Sequence, residues 1–590
     1  MLQGRNSIQG WRVFTTLGLI LLLFSVVAAR YYWLMVINHE TYNKRANANY
    51  IRAVPITAAR GIIFDRNNNI LVDNSPAYSV AVIPVEVKKY PESLNRLGEI
   101  MDVSLDLIEK RIKQNQRGRF APAIIFSRVP FEKISRLQEG RLELPGVTYS
   151  IEPIRSYPEQ AEMSHLLGYT REIDQDYLNR VKTDDNDYEP GDEVGWKGLE
   201  KTYEAELHGS RGYRYMEVNA LGQEIGENEN RPPIHPIPGN DLRLTIDLNF
   251  QNIVSEAIGD SSGAIIIINY KSGEILTYLS QPGYESSVLS GRIKEEVWAE
   301  LINNPKTPLY DRVVQGLYPP GSVLKLVAAT YLFENEKEQA EYRCTGKLKW
   351  GNREFGCWKK VGHGKIKLME AIEQSCNVYF FNSIEEIGLE NWSLLCKNYG
   401  FGENTGIDIY GEKDGTVPDE HYMDGRYGKN NWTKGNLLNM VIGQGDVLVT
   451  PIQLAQYAAI IANKGIKFEP HLVKEVIYHS GRIKFINQKN SEQVVNVSDE
   501  TWQKIHEGMR LVVNGKKGTA KSARQKKMTV YGKTGTSQNT QGEDHAWFIG
   551  FIDNPDLPIA WAVLLENGGS GGGKAAPLMG KILGKLGKNM

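Results

Sequence analysis

The sequence has few cysteines, no excess of either charge and only one long apolar run. Its four cysteines among 590 residues all lie between positions 344 and 396. A secreted domain held by disulfides usually distributes cysteine pairs through a small fold, so this clustering needs a local explanation. The formal net charge is −1, from 69 basic and 70 acidic residues. The overall charge therefore gives no sign of an acidic partner, and we expect no nucleic-acid partner.

The one long apolar run lies near the N-terminus. Residues 13–29 carry no charge, and Arg30 and three aromatic residues follow directly. A helix over residues 13–37 could cross a bilayer of about 30 Å, with the aromatics at the interface. The alternative is a signal peptide cleaved after the small residues Ala28 and Ala29. Because no second run of this length occurs, we expect one span and a large body outside the cytoplasm.

Changes in composition divide the chain into four predicted parts. A short cytoplasmic tail (1–12) and the anchor (13–37) come first, and residues 38–240 alternate β-like runs with polar turns. The proline-rich residues 231–241 predict a domain boundary. In residues 241–590, strands at both ends surround a helical middle, which predicts one sheet assembled from distant segments and covered by helices. The predicted fold class is therefore α/β (α+β).

Ser322-x-x-Lys325 occurs once in the chain. A Pro-Pro-Gly sequence breaks the chain before a helical run, so Ser322 is predicted at a helix start with Lys325 one turn later on the same face. A serine hydroxyl becomes a nucleophile when a base accepts its proton, and a partly desolvated lysine can be that base. Alone, the motif also fits a capping serine followed by a surface lysine.

Two further motifs change that balance. Ser375 and Asn377, on either side of a cysteine, supply a hydroxyl and an amide. A Lys-Thr-Gly-Thr sequence, which begins at Lys533, lies on a predicted strand, where Gly535 would let a substrate approach the backbone. Lys-Thr-Gly occurs once, whereas Ser-x-Asn occurs three times.

In this order the three motifs resemble those of penicillin-binding proteins and class A β-lactamases. The resemblance extends over nearly the whole chain. It is carried by the stretches RGIIFDRNNNILVDN, GLEKTYEAELHGSRGYR, GLYPPGSVLKL, WKKVGHGKI, YGKTGTSQ, DHAWFIGF and ENGGSGG. On these stretches the sequence is similar to class B penicillin-binding proteins, and most similar to the peptidoglycan transpeptidases of cell elongation.

The resemblance implies a role for each motif. Ser322 would attack the carbonyl between the two terminal D-alanines of a stem peptide, with Lys325 as the leading candidate base. Ser375 would relay a proton and Asn377 would hold the substrate amide. Backbone N–H groups of Ser322 and Thr536 would form the oxyanion hole. The terminal carboxylate and the adjoining substrate backbone would meet Lys533, Thr534, Gly535 and Thr536.

The resemblance also implies an architecture and partners. We expect an N-terminal pedestal of the dimerisation type and a transpeptidase domain whose antiparallel sheet is flanked by helices. The protein would be a single-pass protein of the bacterial inner membrane, with its catalytic domain outside the cytoplasm. It would act on peptidoglycan stem peptides and be inhibited by β-lactams. Its partner would be a polytopic glycan-polymerising protein, contacted through the anchor and pedestal.

Four residues of the cysteine region form a candidate metal site. Cys344, Cys357, His363 and Cys376 provide three thiolates and an imidazole, which suit tetrahedral structural zinc, although the gaps exceed those of compact zinc fingers. The alternative is three buried small side chains and an ordinary histidine. Some members of the resembled family carry zinc in this region, which favours the metal. Cys396 is expected to be packed in the core.

Three other interpretations of the sequence are less well supported. A carboxypeptidase or β-lactamase would use the same motifs, but no segment resembling the glutamate of fast deacylation lies between the second and third motifs. A non-catalytic β-lactam receptor or scaffold would not need the full set of reactive groups. The Gly-Gly-Ser-Gly-Gly sequence around Ser570 imitates a hydrolase elbow or a phosphate loop, but the residues that either motif requires do not follow it, so it predicts a glycine-rich turn.

Overall fold

The structure is a computed structural model. It describes residues 10–587 except 41–50, 117, 159–162, 174–176, 180–187, 190, 219–223, 430, 487–490 and 540–541. The first nine residues of the expected cytoplasmic tail lie outside the described residues.

The helices include one long N-terminal segment and many shorter ones in the body. The α-helices are Gly10–Tyr32, Pro84–Lys89, Glu92–Met101, Leu105–Asn115, Phe131–Glu139, Ser164–Leu167, Gly198–Thr202, Glu204–Leu207, Leu248–Ile258, Ser286–Leu289, Glu295–Asn303, Lys325–Glu334, Leu368–Glu373, Asn377–Asn398, Glu420–Tyr427, Lys434–Val441, Pro451–Ala462, Asp499–Asn514 and Ala576–Leu586. The 3₁₀ turns are Arg141–Glu143, Gly321–Leu324 and Lys521–Ala523, and the π turns are Trp33–Ile37 and Gly571–Ala575.

The strands fall into an N-terminal and a C-terminal group. The strands before residue 245 are Ile51–Ile56, Ile63–Phe64, Ile70–Val82, Ala123–Val129, Val147–Ser156, Tyr169–Glu172, Glu193–Lys197, Gly212–Val218, Glu224–Glu227 and Asp241–Leu244. The later strands are Gly263–Asn269, Ile275–Gln281, Tyr342–Cys344, Lys347–Trp350, Arg353–Gly356, Gly364–Ile366, Ile466–Phe468, Val473–Ile477, Ile483–Phe485, Ser491–Gln493, Val530–Ser537, His545–Ile552 and Ile559–Leu565.

The N-terminal apolar run forms an exposed helix that is long enough to cross a membrane. Together with the π turn that follows, it extends over Gly10–Ile37, with a mean hydropathy of 2.1 in its most apolar window and none of that window buried. An unpacked helix of this composition needs an apolar environment to cover it. Among the described residues, it is the one helix long and apolar enough to be a membrane anchor.

A five-stranded antiparallel sheet, which we call the central sheet, forms the middle of the C-terminal region. Its strand order is Ile275–Gln281, Gly263–Asn269, Ile559–Leu565, His545–Ile552 and Val530–Ser537. Successive residues of the inner strands are all buried, so both faces of the sheet are covered. The helix Pro451–Ala462 packs against the three inner strands of the sheet. The prediction of one sheet from distant segments, flanked by helices, is confirmed.

Local signals in the sequence account for individual elements. Thr450 caps the helix Pro451–Ala462 by accepting a hydrogen bond from the Gln453 N–H, with Pro451 in the first turn. Near the N-terminus, Ile63–Phe64 pairs with the start of Ile70–Val82. The carboxylate of Asp65 holds the turn between these two strands by accepting backbone hydrogen bonds within it.

The pedestal contains its own core and also shares a sheet with the C-terminal region. Residues between Val80 and Leu144 form a separate apolar cluster. A second sheet runs from Ile483–Phe485 and Val473–Ile477 through Asp241–Leu244 to the pedestal strands. Hydrogen bonding therefore continues across the expected boundary at residue 240, and the boundary itself stays a prediction.

Candidate active site

The turn that carries Ser322 is fixed by its neighbours on both sides. Gly321 has a φ of +60°, and a Cβ there would lie 2.6 Å from the Thr536 carbonyl oxygen, so only glycine fits. The Gly321 N–H donates to the Gly443 carbonyl at 2.8 Å. The Trp547 indole N–H donates to the carbonyl of Pro319 at 3.1 Å. These contacts hold the start of the Ser322 turn against the edge strand of the central sheet.

Lys325 lies one turn after Ser322 at the start of the helix Lys325–Glu334. The intervening turn is 3₁₀, with three residues per turn, so positions 322 and 325 lie on one side. The Lys325 ammonium is fully buried and donates to the Ser375 carbonyl at 2.9 Å and to Asn377 Oδ1 at 2.6 Å. Burial lowers the pKa of Lys325 to about 8, and the charges of Cys357 and Cys376 oppose this shift. Near neutral pH the amine therefore has a substantial unprotonated fraction, as a proton acceptor needs.

Ser375 lies between two buried lysines. Its hydroxyl oxygen accepts hydrogen bonds from Lys533 Nζ at 2.9 Å and from Lys325 Nζ at 3.3 Å. Burial, and then the positive charge of Lys325, hold the pKa of Lys533 well below its usual value. Ser375 also has a φ of +54°, a strained conformation for a residue other than glycine that is concentrated at functional sites. One hydroxyl thus links the second and third motifs to Lys325.

The strand Val530–Ser537, which we call the motif strand, is the edge of the central sheet. Lys533 is fully buried and also donates to the Thr534 carbonyl at 3.0 Å. A Cβ at Gly535 would lie 2.8 Å from the Pro320 carbonyl oxygen and 2.9 Å from Trp547 Cβ. The turn that carries Ser322 therefore packs closely against Gly535, and the approach of a substrate to the backbone there stays a prediction.

Three residues near the motif strand had no signal in the sequence. Gln444 donates from Nε2 to the Thr536 carbonyl at 3.1 Å, and the Thr519 hydroxyl lies 2.7 Å from that of Thr534. The Gly571 N–H donates to Thr536 Oγ1 at 3.3 Å. Each comes from a different segment of the chain, so only the folded structure places them together.

The four predicted metal ligands converge. The donor atoms of Cys344, Cys357, His363 and Cys376 all lie within 4.8 Å of one another, and the three cysteines are buried. His363 Nδ1 is 3.5 Å from Cys344 Sγ and 3.6 Å from Cys357 Sγ. Zn–S and Zn–N bonds of normal length at a tetrahedral angle separate sulfur and nitrogen by roughly 3.5 Å, so this cluster fits zinc.

The cluster adjoins the second motif. Cys376 lies at the N-cap of the helix Asn377–Asn398, with its thiol in the cluster, while Ser375 and Asn377 contact Lys325. A hydrogen bond with Cys376, supplemented by one with His363, lowers the pKa of Cys357, although burial opposes this. We call residues 356–377 the thiol wall, since it faces the motif strand across Lys325.

The remaining sequence predictions lie outside this cleft or support it. Cys396 is fully buried in the apolar core, as expected, and is not part of the thiol cluster. The glycine-rich sequence around Ser570 forms a turn that leads into the helix Ala576–Leu586. A Cβ at Gly571 would lie 2.3 Å from the Gly535 carbonyl oxygen, so this turn packs against the motif strand.

Comparison with known proteins identifies the family. The model described as "Penicillin binding protein transpeptidase domain" matches residues 263–584, and "Penicillin-binding Protein dimerisation domain" matches residues 55–244. The chain belongs to the penicillin-binding protein transpeptidases. It is of the class B, PBP2 type, because it combines both domains and its relatives match over most of its length. All three motifs of this penicillin-binding protein lie within the matched transpeptidase segment.

Individual relatives cover nearly the whole chain. The peptidoglycan D,D-transpeptidase MrdA of Haemophilus influenzae is 30% identical over 96% of this penicillin-binding protein and 89% of its own length. PBP2 of Helicobacter pylori, solved in complex with MreC, superimposes with a TM-score of 0.81 at 30% identity, covering 91% of this chain and 99% of that chain. A chain of a peptidoglycan synthase complex that coordinates polymerization and crosslinking gives a TM-score of 0.68 at 27% identity over 98% of both chains.

Proposed function

We propose that this chain is a peptidoglycan D,D-transpeptidase of cell elongation. The observation that carries the proposal is the cleft itself, where Ser375 links Lys325 to Lys533 directly beside the turn of Ser322. This arrangement suits acyl transfer, because it combines a nucleophile, a buried amine of lowered pKa and a cationic receptor for a carboxylate. Relatives that match this chain over about nine tenths of their own length are named for this activity.

The first step forms an acyl-enzyme. Ser322 Oγ attacks the carbonyl carbon between the two terminal D-alanines while Lys325 accepts the hydroxyl proton. The C–N bond then breaks, and the departing D-alanine takes a proton from the cleft, for which Ser375 is the relay. The product is an ester between Ser322 and the shortened stem peptide.

The second step transfers the acyl group to an amine. A neutral amine of a neighbouring stem attacks the ester carbonyl, the C–O bond to Ser322 breaks, and an amide cross-link forms. The amine loses a proton and Ser322 regains one, so Lys325 ends as it began.

The close packing of two turns supports an oxyanion hole. Both steps place negative charge on the carbonyl oxygen, which backbone N–H groups of Ser322 and Thr536 would stabilise. The absence of a side chain at Gly321 allows these two backbones to approach, since its missing Cβ would lie 3.1 Å from the Thr536 nitrogen. The terminal carboxylate of the substrate would meet Lys533, Thr534 and Thr536.

The proposal is tested by covalent labelling with a fluorescent penicillin. Wild-type protein should form a stable adduct, and Ser322→Ala should lose the label completely because no other residue takes over as nucleophile. The matched control is Ser570→Ala, which removes a hydroxyl from the glycine-rich turn and should leave labelling intact. Equal labelling of wild type and Ser322→Ala would refute the mechanism. Product analysis with a donor and an amine acceptor then separates transfer from hydrolysis.

The anchor and the relatives support a proposed location and partners. The helix of Gly10–Ile37 would hold the protein in the inner membrane, with the body on the extracytoplasmic side where peptidoglycan lies. Solved relatives include a complex with MreC and a synthase complex that couples polymerization to crosslinking. The second of these complexes supports our proposal of a polytopic glycan-polymerising partner, contacted through the anchor and pedestal.

We also propose that the thiol cluster holds one structural zinc ion. Cys344, Cys357, His363 and Cys376 would be its ligands, as their separations allow. When bound, zinc would supply no reactive group but would fix the loop that precedes Ser375 and Asn377.

A further inference from the structure

The segment 343–367, which overlaps the thiol wall at residues 356–367, has an unusual excess of positive charge. It contains eight lysines and arginines and a single acidic residue, Glu354, whereas the whole chain has a net charge of −1. Lys347 pairs with Glu354, and Lys365 pairs with Glu341 outside the segment. In the part of the chain that the structure describes, neither Lys359 nor Lys360 has an acidic partner within 4 Å. A strong local excess of positive charge therefore remains available to an anion.

Contacts place the cationic segment at the active-site cleft. Asn377 accepts from Lys325 and donates from Nδ2 to the Gly356 carbonyl at 3.1 Å. The Lys360 ammonium lies beside Gly356, 4.0 Å from the position that a Cβ would take there. One lysine charge is thus separated from the second catalytic motif by a single backbone carbonyl.

An exposed indole completes this surface. Trp358 donates from Nε1 to the carbonyl of Gln374, the residue before Ser375, at 3.0 Å, and its ring packs edge-on against His363. Even so, 57% of the side chain is exposed. A tryptophan that is held by a hydrogen bond yet more than half exposed is costly to leave in water and suits a binding surface.

We propose that Trp358, Lys359 and Lys360 form a subsite for the glycan-linked stem peptide, beyond the dipeptide that reacts. This inference rests on the proposed transpeptidase function. Stem peptides carry carboxylates, which the two lysines would attract, and the apolar face of a sugar ring would lie on the indole. The excess of positive charge on this segment is complementary to an anionic polymer. Its position beside Asn377 would allow a glycan strand to lead its stem peptide into the cleft.

This subsite would act on binding more than on chemistry. Contacts remote from the reacting carbonyl that are equal in ground and transition states change KM and leave kcat nearly constant. Rim charges chiefly alter association and its dependence on salt. A small substrate without sugars or additional carboxylates would not reach Trp358 or the lysines, so its reaction should not depend on them.

The test compares two substrates of the full-length protein in detergent. One is uncross-linked glycan strands with pentapeptide stems, and the other is a short thioester donor with D-alanine as acceptor. For Lys359→Gln/Lys360→Gln we expect kcat/KM with glycan strands to fall about tenfold through KM and to lose most of its salt dependence. With the thioester it should stay within twofold. Lys88→Gln/Lys89→Gln in the pedestal, which removes the same charge, is the matched control and should change neither reaction.

Variants of Trp358 separate stacking from packing. Trp358→Phe retains an aromatic face but loses the hydrogen bond to Gln374, and we expect strand transfer within about twofold of wild type. Trp358→Ala should lower strand transfer about fivefold, while Trp298→Ala, an exposed tryptophan elsewhere, should have no effect.

Three results would overturn the subsite. One is strand transfer by the double lysine variant equal to that of wild type. Another is an equal loss with both substrates, which would mean that the segment only supports the wall. The third is a loss of binding to phosphatidylglycerol vesicles without any change in transfer, which would assign the charge to the membrane surface. Penicillin labelling of the same proteins keeps the two hypotheses apart, since wild type that fails to label refutes the proposed function instead.

Discussion

The two walls of the cleft obtain their rigidity in different ways. The motif strand is one edge of a five-stranded sheet, and large buried side chains such as Trp547 and Trp561 fill the space beside it. The thiol wall consists mostly of turns and short strands, and its charged outer surface is exposed. Sheet hydrogen bonds and aromatic packing therefore hold Lys533, whereas the turn of Ser375 and Asn377 adjoins a cluster of four candidate metal ligands. A local change should damage each wall through a different mechanism.

The rigidity of the thiol wall depends on side chains that are far apart in sequence. Cys344 and Cys376 are 32 positions apart and meet only at the cluster. Three adjacent thiols would repel one another once ionised, so without a metal the cluster is a poor clamp. With a metal, it would restrict the loop much as a cross-link does.

The largest effect is expected from breaking the thiol wall. Cys357→Ser should reduce bound zinc from about one ion per chain to near zero, because a serine hydroxyl is a poor zinc ligand. Ser375 and Asn377 should then lose their fixed positions, and a displacement of about 1 Å can cost roughly 100-fold in rate. Elemental analysis and the second-order rate constant for penicillin acylation would measure the two effects.

Cys396→Ser is the matched control for this variant. It makes the same chemical change at a fully buried cysteine outside the cluster, so it should lower thermal stability but retain zinc. The zinc site would be ruled out if wild-type protein were purified without metal and a chelator changed neither its melting temperature nor its acylation rate.

More of the motif strand than of the thiol wall could be predicted from the sequence. The motif strand could be predicted because its glycine and its unique Lys-Thr-Gly sequence are both local signals. The four candidate zinc ligands could be chosen by residue type, but their convergence could not, since spacings of twelve residues leave many arrangements open. Gln444 and Thr519 could not be predicted at all, because nothing local to either residue indicates the motif strand.

A smaller effect on acylation is expected from a larger side chain in the motif strand. Gly535→Ala places a methyl group 2.8 Å from the Pro320 carbonyl oxygen, so the motif strand and the Ser322 turn must move apart. We expect acylation to fall roughly 10- to 50-fold while zinc content stays at the wild-type value. A change in the thiol wall would thus lower both the acylation rate and the zinc content. A change in the motif strand would lower the acylation rate alone.

Gly425→Ala is the matched control for the replacement of glycine by alanine. Gly425 lies inside the helix Glu420–Tyr427 with nothing within 4 Å of the added methyl group, so this change should leave acylation intact and slightly raise stability. If Gly535→Ala acylated at the wild-type rate, the close contact between the motif strand and the Ser322 turn would be irrelevant to catalysis. If it lost zinc, the two walls would not be independent.

The smallest effect, about tenfold, is expected from pH, and it distinguishes Lys325, which lies between the walls, from Lys533 of the motif strand. Lys325, with a pKa of about 8, must be neutral to accept the Ser322 proton, so acylation should rise about tenfold between pH 7 and pH 9. Lys533 should not reverse this rise, because a bound carboxylate stabilises its ammonium form. The lowered pKa also means that the unfolded chain binds more protons above pH 8, so stability should increase with pH from about 8 towards 10.5. A flat acylation profile over this range would show that Lys325 does not act as the base, whichever wall positions it.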